Sequence, residues 1–341
     1  MAINRQWILA SRPAGMVSEA NFQYREVQLP RPADGEFLVR VLYVSFDPAM
    51  RAFLNARPGY ASPQPVGDVM RASAIGQVVE SQAPDFHPGD LIVGNFGWQD
   101  YAVSSGLGPY PPMKVPSTHP PPAYLGVLGG TGLTAYFGML EVGKPQAGET
   151  VVVSGAAGAT GSIAAQIAKL QGARVIGIAG GATKCGWLTG ELKLDAAIDY
   201  RTERVAERLR ELCPDGIHVY FDNVGGEILE IAIDQMATWG RIALCGMISS
   251  YNAAEPPPGP RNLFTLIARR VRMEGFLILD YAPRFSAARR ELSAWLAQGK
   301  LKAREDLQEG FENIPRTFLR LFSGENIGKQ LLKIADPAPQ G

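Results

Sequence analysis

The stretch from Val151 to Lys184 constrains the fold of this chain more than any other. It opens on a run of valines, continues through small residues in A-x-G-x-x-G spacing (Ala156, Gly158, Gly161), and passes through a segment of helical composition to a second apolar run at 174–179. Small residues at such a turn let the backbone approach a pyrophosphate, and N–H groups at the start of the helix then hold the anion. The pattern predicts a dinucleotide-binding βαβ unit, with a plain glycine-rich turn as the alternative interpretation.

The residues after the second apolar run indicate which dinucleotide to expect. An NAD site usually has an acidic residue there, roughly 20 residues past the glycines, to bind the ribose hydroxyls. This chain has Ala179, Gly180, Gly181 and Ala182 instead, followed by Lys184. An ammonium group attracts a 2′-phosphate through a charge-assisted hydrogen bond, and no carboxylate repels it. We therefore expect NADPH, although a lone lysine would otherwise be interpreted as a solvated surface residue.

Length and composition limit the class of protein. The chain has 341 residues, 46% of them hydrophobic, which is enough for two domains with substantial cores. Its 33 basic and 33 acidic residues balance. Such a charge balance gives no global field for nucleic acid or an anionic membrane, so we expect a small-molecule partner.

The N-terminal sequence MAINRQWILASRPAG is too polar for a signal peptide, and no window approaches the length of an apolar membrane span. We therefore expect a soluble protein in the cytoplasm.

The cysteines and histidines predict no metal site. Cys185, Cys213 and Cys245 are far apart, and the three histidines show no ligand spacing with them. Tetrahedral zinc requires three or four such ligands to converge, usually with a C-x-x-C pair in the sequence.

The pattern along the chain predicts two domains. Up to about residue 122 short β-type runs alternate with turn residues, and a proline-rich stretch ends this block. From 123 to 302 apolar runs alternate with helical segments, the last of the runs being 273–279. That alternation is typical of an α/β fold with a doubly wound parallel sheet. We expect residues 303–341 to return to the first domain, so the domains would be 1–122 plus 303–341 and 123–302.

Several short sequence motifs together resemble those of one family. They are SGAAGATGSIAAQIAKLQGARVIGIAG, YFDNVGGE (220–227), GENIGK (324–329), DPAMR (47–51) and GLTAYFG (132–138). The chain resembles the zinc-independent medium-chain dehydrogenases/reductases, and within them the NADPH-dependent alkenal/enone double-bond reductases, a group with prostaglandin and curcumin reductases. The resemblance covers nearly the whole chain and implies a Rossmann domain plus a mostly β, GroES-like domain.

The resemblance also implies site residues. The backbone of Ala159, Thr160, Gly161 and Ser162 would contact the pyrophosphate, and Lys184 and Tyr200 the 2′-phosphate. The ribose and nicotinamide would lie against Asn223, Cys245, Gly246, Ser249, Tyr251, Phe276, Leu277, Ile278 and Asn326. From the residues alone, Tyr200 and Asn223 would be interpreted as ordinary strand-end residues and Phe276 as core.

The implied reaction is hydride transfer from NADPH to the β-carbon of an α,β-unsaturated aldehyde or ketone, followed by protonation at the α-carbon. Such a site must stabilise the enolate oxygen with hydrogen-bond donors, and no zinc is required for that. The candidate donors are Tyr251, the one catalytic side chain predicted, and the cofactor's ribose hydroxyl. Tyr60 and Met70 would shape the substrate pocket, and the resemblance implies a homodimer joined through sheet edges.

Two positions depart from the family. Ala268 stands where members often have a tyrosine proposed as proton donor, and Ala49 replaces the aromatic residue of D-P-Y-M-R. The substrate is therefore open. Two other functions also stay open: an NADPH:quinone oxidoreductase of the same superfamily, and an NADPH-binding protein without catalysis.

Overall fold

The computed structural model describes residues 3–56, 62–108 and 111–338. The chain divides into two compact units. The first comprises Met1–Leu125, Glu305–Asn326 and Gln330–Gly341, and the second comprises Gly126–Arg304 and Ile327–Lys329. The domain boundaries expected from the sequence stay a prediction, and that prediction does not include the short return of 327–329 to the second unit.

The strands in chain order are β1 (Ile3–Leu9), β2 (Phe22–Gln28), β3 (Phe37–Ser45), β4 (Ser73–Ser81), β5 (Leu91–Asn95), β6 (Tyr101–Ser104), β7 (Met113–Lys114), β8 (Thr150–Ser154), β9 (Arg174–Ala179), β10 (Ala196–Asp199), β11 (Ile217–Asp222), β12 (Met236–Leu244), β13 (Arg272–Gly275), β14 (Glu305–Glu309) and β15 (Lys329–Lys333).

The α-helices are α1 (Met50–Phe53), α2 (Gly130–Phe137), α3 (Ala159–Leu170), α4 (Ala182–Gly190), α5 (Val205–Leu212), α6 (Gly226–Asp234), α7 (Phe264–Arg269), α8 (Phe285–Ala297) and α9 (Ile314–Ser323). A π-helical segment, Gly138–Gly143, continues α2. Two of the 3₁₀ helices lie near the candidate site described below, Ile248–Ser250 and Ile278–Arg284.

The second unit is built on a parallel sheet whose described strands run in the order β10-β9-β8-β11-β12-β13. The valines of β8 are fully buried, as expected for a sheet covered on both faces. The strand order reverses between β8 and β11, and in open sheets of this kind a crevice forms there at the carboxyl ends of the strands. The predicted doubly wound parallel sheet is confirmed.

The first unit is mostly β. Its larger sheet has the order β14-β15-β3-β4-β5-β7, with β6 also paired to β3, and β1 pairs with β2 in a separate antiparallel ribbon. An aromatic cluster fills its core, in which Trp98 contacts Phe22, Phe46 and Phe318. The predicted fold class, a parallel α/β domain with a separate mostly β domain, is therefore confirmed.

One predicted element is wrong in its second half. The apolar run 273–279 forms a strand only as far as Gly275, and Ile278–Arg284 forms a 3₁₀ helix. The partner strand β12 ends at Leu244, which pairs with Gly275, so no ladder continues beyond that point. Among the described residues, no helix combines the length and apolar character needed to cross a membrane.

Candidate functional site

The turn between β8 and α3 has the geometry that its glycines predict. Gly155 takes φ of 58°, a left-handed conformation that favours glycine, and Gly158 precedes the first residue of α3. A Cβ on Gly161 would lie 2.3 Å from the carbonyl oxygen of Gly155, so no larger residue fits there. Ala159, Thr160 and Gly161 begin α3, and their backbone N–H groups lack intrahelical acceptors, whereas the N–H of Ser162 already donates to the carbonyl of Gly158 over 3.0 Å. This end of α3 can therefore hold an anion.

The segment Ile327–Lys329 supports the same turn. The N–H of Gly328 donates to the carbonyl of Ala157 over 2.8 Å, and Gly328 forms a parallel bridge with Gly158. The motif GENIGK thus includes Gly328, which holds the glycine turn in place. Asn326, a predicted cofactor residue, directly precedes this segment and is half-buried.

A buried carboxyl lies at the end of β11, on the far side of the switch point from β8. Oδ1 of Asp222 accepts hydrogen bonds from the hydroxyls of Ser154 (2.9 Å) and Tyr220 (3.1 Å) and from the N–H groups of Val224 and Gly225. Oδ2 is buried with no hydrogen-bond partner among the described residues. Burial raises the pKa of Asp222 above its ordinary value despite those donors. The carboxyl thus fixes the turn that follows β11.

That turn positions Asn223 and the segment after β12. The side chain of Asn223 donates to the carbonyl of Ser154 over 2.7 Å, which joins the ends of β8 and β11. The N–H groups of Cys245 and Gly246 both donate to the carbonyl of Asp222. The hydroxyl of Ser249 donates to the carbonyl of Val224 over 2.6 Å. The structure therefore brings Asn223, Cys245, Gly246 and Ser249 together at the carboxyl edge of the sheet.

Tyr251 folds back on this segment. Its hydroxyl oxygen accepts a hydrogen bond from the N–H of Met247 at 3.2 Å and would lie 3.2 Å from a Cβ on Gly246. Burial raises the pKa of Tyr251, so the hydroxyl stays protonated at neutral pH. The bond from Met247 uses a lone pair of that oxygen, so the hydrogen of the hydroxyl can be donated to another group.

The predicted residues after β13 differ in their burial. The ring of Phe276 packs edge-on against Phe221 with 6.4 Å between centroids, so this side chain is part of the packing, as its residue type alone would suggest. Leu277 is exposed and Ile278 is half-buried at the start of the following 3₁₀ helix.

Lys184 and Tyr200 lie at the ends of neighbouring strands. Lys184 is in the first turn of α4, which is separated from the end of β9 by two residues, and Tyr200 directly follows β10. The hydroxyl of Tyr200 would lie 2.8 Å from a Cβ on Gly180, so the ring covers the first residue after β9. Asp199 accepts a hydrogen bond from the N–H of Gly181, and its backbone hydrogen bonds lower its pKa. The two strand ends are thus tied together.

Of the two predicted substrate residues, the structure describes Met70. Met70 is fully buried in the core of the first unit, where its N–H donates to the carbonyl of Trp7, so its side chain contributes to packing. Tyr60 lies outside the described residues. Ala49 precedes the first residue of α1, and Ala268 is an exposed residue of α7.

The cysteines are held as neutral thiols. Burial raises the pKa of Cys213 to about 11 and that of Cys245 to about 12. Across residues 3–56, 62–108 and 111–338, no three His, Cys, Asp or Glu side chains converge as metal ligands would.

Two polar side chains at this edge were not among the predicted site residues, Asp222 and Arg201. Asp222 directly precedes Asn223 at the end of an apolar run, and Arg201 directly follows Tyr200. Their neighbours were the only sequence signal for them, because nothing local shows that Asp222 is buried or that Arg201 lies against the glycines after β9.

Comparison with known proteins extends over both units. A family model described as N-terminal domain of oxidoreductase matches residues 5–110, and one described as zinc-binding dehydrogenase matches 159–297. The chain is 42% identical to NADPH-dependent curcumin reductase from Escherichia coli (strain K12), covering 97% of each chain. It is 37% identical to the NADP(+)-dependent 2-alkenal reductase from Nicotiana tabacum, covering 97% of this chain and 98% of that one. The crystal structure of CurA in complex with NADPH from Vibrio vulnificus is similar with a TM-score of 0.92 and 41% identity, covering 98% of this chain and 100% of that one.

Proposed function

Since this chain belongs to the medium-chain dehydrogenase/reductase family that includes curcumin reductase and 2-alkenal reductase, we propose that it reduces the C=C bond of α,β-unsaturated aldehydes and ketones with NADPH. The observation that carries the proposal is the glycine turn at the switch point between β8 and β11. Because Gly161 has no side chain, the start of α3 packs directly against the carbonyl of Gly155 in that turn. A relative whose structure contains NADPH shares 41% of its residues with this chain.

In the proposal, the dinucleotide lies along the carboxyl edge of the parallel sheet. In the proposal, the first turn of α3 holds the pyrophosphate, and Lys184 and Tyr200 hold the 2′-phosphate. The nicotinamide half lies against Asn223, Tyr251 and the Cys245–Ser249 segment, with Asn326, Phe276, Leu277 and Ile278 completing the predicted set.

NADPH, when bound, supplies a hydride for the β-carbon of the substrate. The protein must then orient the alkene and stabilise negative charge on the carbonyl oxygen. Tyr251 is the side chain proposed for that second task, because its hydroxyl is protonated and its hydrogen is not needed for the bond from Met247. Tyr60 and Met70 stay sequence-based predictions for the pocket.

NADPH consumption tests the proposal. Purified protein is given an enal, an enone, a saturated aldehyde and a quinone in turn, with NADH in parallel assays. Turnover of the enal or enone with NADPH preferred supports the proposal. Turnover of the quinone alone would replace it with an NADPH:quinone oxidoreductase, and NADPH binding without turnover would replace it with a non-catalytic protein.

We further propose that the protein is a cytoplasmic homodimer. Support for the compartment comes from Cys185, Cys213 and Cys245, which are all free thiols, as is usual in a reducing compartment. Support for the dimer comes from β13, which pairs only with β12 among the described strands and so leaves one strand edge open. Nearby, Trp239, Phe264 and Ile267 are each more than half exposed. A second copy of this chain would cover both features.

The two units would then have separate tasks. We propose that 123–302 forms the cofactor domain and that 1–122 with 303–341 forms the substrate domain.

A further inference from the structure

We infer that Arg201 is a second cation for the 2′-phosphate and that it determines, together with Lys184, the preference for NADPH over NADH. This inference rests on the proposed use of NADPH and deepens it, because neither the sequence pattern nor the family resemblance assigned a role to Arg201.

The backbone of Arg201 is fixed to the strand end that faces the cofactor site. The carboxylate of Asp199, the last residue of β10, accepts hydrogen bonds from the N–H of Gly181 at 2.8 Å and from the N–H of Arg201 at 3.0 Å. One buried carboxylate oxygen thereby holds the loop after β9 and the loop after β10 in register. The Asp199 carboxylate is used inside the fold, so it does not take the place of the ribose-binding acid of an NAD site.

The guanidinium lies across the glycine pair after β9. A Cβ on Gly180 would lie 2.9 Å from Nε of Arg201 and 2.8 Å from the hydroxyl oxygen of Tyr200. A Cβ on Gly181 would lie 3.9 Å from Nη1 of Arg201. The guanidinium and the phenol therefore converge on backbone that has no side chains of its own, at the position where an NAD site would have its acid.

Arg201 differs from the arginines that follow it in its partners. Arg204 pairs with Glu207 at 3.0 Å, and Arg208 pairs with Glu203 at 2.7 Å. Within the described part of the chain, no carboxylate lies within ion-pair distance of the Arg201 guanidinium, although the Asp199 charge is near enough to interact with it. A guanidinium offers paired N–H donors that match two phosphate oxygens, which an ammonium cannot do. The placement favours a phosphate ligand over a purely solvated role.

The test compares Arg201→Gln and Arg201→Lys with the control Arg204→Gln, which changes an arginine of the same region that already has a carboxylate partner. Dissociation constants are measured by fluorescence titration for NADPH, NADH, 2′,5′-ADP and 5′-AMP. We expect Arg201→Gln to weaken NADPH and 2′,5′-ADP binding by about tenfold to a hundredfold, with NADH and 5′-AMP within about twofold of wild type. Arg201→Lys should lose less, and Arg204→Gln should match wild type.

The outcomes separate this inference from the proposed function. Wild-type protein that does not bind NADPH, or that binds NADH as tightly, would overturn the proposed use of NADPH itself. If wild type prefers NADPH and Arg201→Gln keeps the same ratio of NADPH to NADH affinity, only the role of Arg201 is overturned. Equal weakening of all four ligands, with or without a lowered melting temperature, would also overturn it, because it shows a structural effect on the loop.

Discussion

The ring of Phe276 packs onto the bare α-carbon of Gly138, since a Cβ on Gly138 would lie 2.3 Å from Cζ of that ring. Gly138 begins the π-helical segment that continues α2, and Phe276 is the first residue after β13. The same hypothetical Cβ would also come within 2.8 Å of the ring of Phe221. A glycine in one element thereby sets the position of the chain that leads into Leu277 and Ile278, two predicted cofactor residues.

Gly138→Ala should therefore displace Phe276 and lower both stability and NADPH affinity. Overpacking a core position typically costs about 1 to 3 kcal/mol in the free energy of unfolding, which chemical denaturation measures. Gly130→Ala is the matched control, because Gly130 lies in α2, the helix that the segment of Gly138 continues, and a Cβ there meets nothing within 4 Å. The double variant Gly138→Ala with Phe276→Leu should recover part of the loss. If the unfolding curve of Gly138→Ala is the same as that of the wild type, Phe276 moves aside with no loss in the free energy of unfolding.

Tyr251→Phe should lower kcat by about a hundredfold, because removing one donor to a developing oxyanion has an effect of that order. The affinity for NADPH, measured by titration, should change little. Since burial raises the pKa of Tyr251, we expect no loss of wild-type rate from its ionisation as pH rises toward its ordinary value of 10.

Tyr136→Phe is the control for that variant. The Tyr136 hydroxyl donates to Glu291 over 2.6 Å at the surface, so its loss should leave kcat unchanged. An unchanged kcat in Tyr251→Phe would instead assign the oxyanion contact to a donor other than Tyr251.

Local features of the sequence predicted the helices and strands of this fold, but they did not predict the contacts between them. The β-branched run at 151–153 and the glycines after it predict β8, its turn and α3, because strand propensity, the turn and the helix start are all local. The burial of Asp222 and the approach of Arg201 to Gly180 could not be predicted, because each depends on residues about 20 to 70 positions away that only the sheet order brings together. The strand predicted past Gly275 failed for the same reason, since its partner β12 ends at Leu244, opposite Gly275.

Ionisation of Asp222 should lower the free energy of unfolding as pH rises. Its pKa in the folded protein is raised above 3.8, mainly by burial, so the fold favours the protonated form. That contribution to stability is fully present below 3.8 and is lost as pH rises through the folded pKa. Asp222→Asn removes the ionisation and keeps an oxygen acceptor. Its stability relative to wild type should therefore improve as pH rises from about 4 to 8 in urea denaturation.

Two further variants complete the Asp222 experiment. Asp222→Ala removes the acceptor of four hydrogen bonds and should cost about 3 kcal/mol or more at every pH in that range. Asp215→Asn, which changes an exposed carboxyl of the same unit in the same way, is the matched control. A constant difference between wild type and Asp222→Asn across the range would mean that the Asp222 carboxyl does not titrate differently in the fold.

The proposed dimer would bury the exposed apolar face of α7. Phe264 and Ile267 are 77% and 71% exposed, and the Arg270 guanidinium covers one face of Trp239 at 5.1 Å from the ring centroid. α7 packs beside β12, whose neighbour β13 has no second partner among the strands that the structure describes. An apolar face next to an unpaired strand edge is costly in water, and a second copy that adds its own β13 would remove both costs together.

Phe264→Glu combined with Ile267→Glu should therefore convert a dimer into monomers in sedimentation velocity, because the charges would have to be buried without partners. Leu107→Glu is the control, since Leu107 is 82% exposed in the first unit, and it should leave the dimer intact. The circular dichroism of the double variant should match wild type, because both substituted side chains already lie in solvent in a single chain. A wild-type protein that sediments as a monomer at micromolar concentration, or a double variant that still sediments as a dimer, would show that copies of this chain do not associate through α7 and β13.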